Sequence, residues 1–155
     1  MRLLAKILYL IGKGESLYKK QPINTTICLP LAMYNAFVYK ELIPPSMFKL
    51  KRLCKWTQSG TLLNTHNEYL INKLGLVSTI HSNVILKKGG ILLIDNNTSE
   101  DVYDVHAVLC LPSKRRNNTY INISSNNEII ETFNEKIIFK HLPKFGEGFK
   151  GYYFE

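Results

Sequence analysis

An α+β fold, with helices packed on a mostly antiparallel sheet, is predicted by three observations. Helix-like apolar periodicity fills the first half of the chain, short β-branched runs fill the second, and Asn- and Ser-rich turns separate those runs. At 155 residues the chain suits one domain, able to bury roughly 68–70% of its unfolded surface. The composition is that of an ordinary globular protein, with 45% hydrophobic and 21% charged residues.

The elements follow in order. Residues 2–11 read as an amphipathic helix ended by Gly12 and Gly14; Lys6 interrupts the apolar run, which is too short to cross a bilayer and lacks a cleavage site. A polar stretch then leads to Cys28. Pro30 suits a first helical turn, Leu31 to Leu42 continue the helix, and Pro44-Pro45 stops it. Ser46 to Trp56 make a second helix. Thr61 can cap a third over Leu62 to Leu74, which Gly75 closes in the left-handed region.

Strands are expected at Leu76 to Ile80, Gly90 to Asp95, Val105 to Leu111, Thr119 to Ile123 and Lys136 to Phe139. The Asn96 to Ser99 and Asn117-Asn118 turns make the Gly90, Val105 and Thr119 runs antiparallel neighbours. Lys87-Lys88-Gly89-Gly90 is a turn entering a strand. The aromatic, glycine-rich 141–155 tail either packs back on the core or docks on another subunit.

Three cysteines without a CxxC pair support neither a disulfide framework nor a zinc ribbon. A reducing compartment is expected, the cytoplasm, or a virion if the gene is a phage's. The Asn, Ile and Lys content fits an AT-rich genome, as in a low-GC bacterium or its phage. No glycine-rich phosphate loop, metal site or cofactor site is expected. The charge of +8 raises nucleic acid as a partner, but the basic residues are dispersed. Lys49, Lys51, Arg52 and Lys55, and Lys114 to Arg116, read as solvated faces, so nucleic-acid binding is disfavoured.

Chemistry is suggested by one order of residues: Cys28 at the start of a helix, His106 in a strand and Asn122 in the next strand. A sulfur at a helix N-terminus has its thiolate favoured by the dipole, and an imidazole can take its proton and return it to a leaving amine. Asn122, on the strand paired with that of His106, could orient the imidazole. The Cys28 backbone N–H and the Gln21 side chain would bind the oxyanion. Cys54 and Cys110 read as buried hydrophobes, and His66, His81 and His141 have no comparable partners.

With these residues the chain resembles the papain-like peptidases that cleave double-glycine leaders from bacteriocins, and their stand-alone relatives. The similarity is carried by Cys28-Leu29-Pro30-Leu31-Ala32-Met33, by Gly60-Thr61 through Lys73-Leu74-Gly75-Leu76, by Lys88 to Ile94, and by His106-Ala107-Val108-Leu109. It spans about residues 15–140 and rests on order and spacing. It implies a papain-like fold over 1–155 and a cysteine peptidase acting on a peptide or protein substrate, with catalytic Cys28, His106, Asn122 and Gln21.

Leu29 replaces the family's usual glycine, Gln21 stands one residue further from the cysteine, and Asn122 replaces the aspartate of this branch. The alternative expectation is therefore a degenerate papain-like protein acting as an interaction component, for example of a phage virion, assembling through its termini. A cell-wall amidase using the same thiol chemistry is a third reading.

Overall fold

Pro30, with no N–H to lose, sits in the first turn of helix α1 (Cys28–Tyr39), whose first hydrogen bond runs from Leu31 N–H to the Ile27 carbonyl at 2.9 Å. The computed structural model describes residues 18, 19, 21, 27–57, 67–95, 105–112, 118–121, 130–132 and 150–155. The expected helix over 2–11 and the strand over 136–139 lie outside these residues.

Helix α1 stops three residues earlier than its apolar pattern predicts. Residues preceding a proline are driven to extended backbone, so the chain must leave the helix before Ile43. It does so with Glu41 in the left-handed region (φ 58°), Leu42 N–H donating to Phe37 O at 2.9 Å and Glu41 N–H to Val38 O at 3.0 Å. This is a Schellman closure with a side chain where glycine is usual. Helix α2 (Met47–Leu53) is shorter than the expected Ser46 to Trp56, and Ser46 caps it, its hydroxyl accepting from Lys49 N–H at 3.2 Å. It closes before Trp56 by the same device, with Lys55 at φ 52° and Trp56 N–H donating to Lys51 O at 2.8 Å.

Helix α3 is shorter than predicted. It covers Glu68–Leu74 because the Asn67 side chain, on extended backbone, accepts from Leu70 N–H at 3.1 Å and starts the helix there. Thr61, the expected cap, lies outside the described residues. Gly75 closes α3 at φ 64°, as its position predicts. A fourth helix, α4 (Ser82–Lys88), occupies a segment read as connection, and it buries Ile85 and Leu86.

The strands are β1 (Leu76–Thr79), β2 (Gly90–Asp95), β3 (Val105–Leu111), β4 (Thr119–Ile121), β5 (Ile130–Thr132) and β6 (Gly151–Phe154). They form one antiparallel sheet in the order β1-β6-β2-β3-β4-β5. The two expected pairings hold, with Leu92 opposite Val108 and Cys110 opposite Tyr120. The last residues of the tail settle between β1 and β2 as β6, which the sequence reading did not assign as a strand. Glycine permits this: a Cβ on Gly151 would collide with the Ile91 carbonyl, and one on Gly90 with the Tyr152 carbonyl.

Alternation along the strands divides the interior into two layers. Ile91, Leu93, Ala107, Leu109, Tyr152 and Phe154 meet Ala32, Ala36 and Phe37 of α1, with Leu50, Leu70 and Leu74 from α2 and α3. On the other face Leu92, Ile94, Val108, Cys110 and Tyr120 meet Ile85 and Leu86 of α4. Among the described residues the architecture is α+β, with the sheet between three helices and one.

Candidate functional site

Cys28 is the first residue of α1 and is half-buried. Ile27, which precedes the helix, supplies no side-chain cap, and no carboxylate lies in the first turn. The positive end of the helix dipole therefore falls at Cys28.

His106 is the second residue of β3, paired with Ile94 of β2 and 5% exposed. Its place relative to Cys28 follows from how α1 lies on the sheet. The helix packs mainly on β3 and little on β2, so it runs along the strand. At its C-terminal end Tyr39 stacks on Phe154, with ring centroids 5.4 Å apart, and Lys40 Nζ lies 4.6 Å over the same ring. Phe154 donates its N–H to Gly89 O at 2.9 Å, one step beyond the pair of Gly90 with Cys110. The C-terminal end of α1 therefore lies where β3 ends.

From Tyr39 back to Cys28 the helix advances roughly 16 Å, and from Leu111 back to His106 the strand advances about 17 Å. The two lengths match. By these lengths Cys28 stands toward the end of β3 that carries His106. They do not share a parity, however: His106 has the alternation of Val108 and Cys110, which face α4, while α1 covers Ala107 and Leu109. His106 lies one rung from the pair of Asp95 with Val105.

Gln21 is 4% exposed. The segment before it is tied to α1 by Asn35, 1% exposed, whose Oδ1 accepts from Lys19 N–H at 2.9 Å and whose Nδ2 donates to Lys19 O at 3.2 Å. Lys19 Nζ also stands 4.6 Å over the Tyr34 ring. Asn35 lies two turns along α1 from Cys28, hence on the same side of the helix. From Lys19 the chain must travel back to Ile27 at the helix start, and Gln21 lies on that path, buried. Asn35 was missed by the sequence reading. Its signal was a lone amide in the apolar run from Cys28 to Tyr39.

Asn122 lies outside the described residues. The other thiols are core groups, as predicted: Cys54 and Cys110 are buried, and burial pushes each thiol up to about 12. The Asn118 side chain works against that rise at Cys110, with Nδ2 3.5 Å from its sulfur and 2.7 Å from Leu86 O.

Among the described residues no group of three or more His, Cys, Asp or Glu stands together as metal ligands, and no helix is long and apolar enough to cross a membrane. No protein-family model, curated protein or solved structure matches the chain.

Proposed function

We propose that the protein is a papain-like cysteine peptidase that hydrolyses a peptide bond, of the type that cuts after a double glycine. What supports this reading is that Cys28 begins the helix that packs on β3, the strand that carries His106. Cys28 Sγ attacks the carbonyl carbon, and its proton passes to His106. The tetrahedral oxyanion is met by the Cys28 N–H and by Gln21, which Asn35 helps to place. Collapse breaks the C–N bond as His106 protonates the leaving amine; water, deprotonated by His106, then releases the acid from the thioester. Asn122 orients the imidazole.

The test is labelling with an electrophilic peptide probe. Wild type is expected to be labelled at Cys28, with labelling abolished in Cys28→Ala and reduced at least about tenfold in His106→Ala. Equal labelling of all three would overturn the reading.

A second reading, a protein of this fold that binds without catalysing, is favoured by the parity of His106, which matches residues facing α4. In that case His106→Ala leaves the alkylation of Cys28 unchanged.

A further inference from the structure

Helix α2 presents an outward face that the peptidase reading does not use. Phe48, Lys49 and Arg52 are exposed on it at helical spacing, with Leu50 and Cys54 turned to the core, and Lys55 follows just beyond. Phe48 is 79% exposed, and Ile43, across the Pro44-Pro45 turn, is 72% exposed. From Leu42 to Thr57 the sequence has four cations and no carboxylate. Two further rings border this face. Lys49 Nζ stands 5.3 Å over Tyr69 of α3, and Lys51 Nζ stands 4.7 Å over Trp56.

We propose that this face, from Leu42 to Lys55, docks on an anionic lipid surface, with Ile43 and Phe48 entering the interfacial layer and Lys49, Arg52 and Lys55 meeting phosphate headgroups. Charge selects the partner. A second copy would bring four cations against four, whereas an anionic bilayer attracts them and accepts apolar side chains between headgroups.

The apolar groups separate a bilayer from a nucleic acid. Single strands are held by stacking bases on free aromatic faces, and here Tyr69 and Trp56 already carry a lysine ammonium over one face. Ile43 offers no ring to stack on. Its exposed aliphatic chain and the exposed Phe48 side chain suit insertion instead. Such a surface would hold the proposed active site close to membrane-borne or emerging peptides, although the docking itself is independent of any catalysis.

The test uses the full chain with unilamellar vesicles of phosphatidylcholine alone or with about 30 mol% phosphatidylserine, read by co-sedimentation. Binding is expected only with phosphatidylserine, and high salt should release it. Lys49→Ala and Arg52→Ala should each weaken it roughly fivefold. The exposed double variant Ile43→Ser/Phe48→Ser should abolish binding while keeping the unfolding midpoint of wild type. Absence of binding, equal binding to both vesicles, or full binding by the double variant overturns the proposal. So does selective binding of a single-stranded oligonucleotide that the double variant loses, which would assign the face to nucleic acid.

Discussion

Asn35 replaces a strand partner for Lys19: its amide accepts the Lys19 N–H and donates to the Lys19 carbonyl, as a neighbouring backbone would. Removing it leaves both groups without that partner in a part-buried setting. Asn35→Ala is expected to cost about 1–3 kcal/mol, read from the denaturant midpoint. It should also loosen Gln21. Acylation by 4-nitrophenyl acetate, which passes through an oxyanion, should slow at least about tenfold, while alkylation of Cys28 by iodoacetamide, which does not, should stay near wild type. Equal effects on both reactions would make Asn35 a purely structural residue.

Thiol accessibility should separate the three cysteines. Native protein treated with iodoacetamide is expected to be modified at Cys28 alone, because Cys54 and Cys110 are buried and held as thiols at neutral pH. Peptide mapping with and without denaturant reads this directly. Modification of Cys110 in the native state would contradict the closed layer under α4.

The same burial makes the fold sensitive to alkali. Cys54 and Cys110 are raised from 9.0 to about 12, and Tyr152 from 10.0 to about 12, by burial first and then by the charge of Cys54. A raised value means that the unfolded chain loses these protons before the native one does. Their contribution is intact below pH 9 and is lost as the pH rises toward 12, at up to about 1.4 kcal/mol per pH unit for each group. Cys54→Ala should flatten that slope above pH 9 relative to wild type. An unchanged slope would mean that Cys54 ionises in the folded state.

Glycine substitutions should divide by what a Cβ would meet. Gly151→Ala is expected to destabilise by more than about 3 kcal/mol, since the methyl group collides with the Ile91 carbonyl and φ is 133°. Gly75→Ala, in open space at φ 64°, should cost only about 1–2 kcal/mol. In the opposite direction, Glu41→Gly should stabilise by roughly 0.5–1 kcal/mol, because Glu41 already occupies the left-handed region. Thermal unfolding of the three variants gives the ranking.

The sequence made the alternating strands legible because period-2 burial on both faces leaves continuous apolar runs: β2 and β3 have the bounds that their patterns predict. Helix ends were less legible. Apolar periodicity ran past Tyr39 and began before Asn67, whereas the ends were decided by a proline three residues beyond a left-handed Glu41 and by one capping amide. Helix α4 was missed because its seven residues open on a turn-forming Ser82 and end against Gly89, and only Ile85 and Leu86 mark its buried side. The place of β6 depends on pairing with residues far away in sequence, which no local pattern contains. At the candidate site, Cys28 at a helix start was readable from Pro30, but the parity of His106 and the Asn35 clamp required the packing of α1 on β3.

The sheet order has a consequence for biosynthesis. Strand β6 is the last of the described elements to leave the ribosome, yet β1 joins the sheet only through it. Until residues 151–154 emerge, β2 carries an open edge flanked by Ile91 and Leu93, and β1 has nothing to pair with. The nascent chain therefore passes through a stage that invites pairing with other unfolded strands, which the arrival of β6 closes.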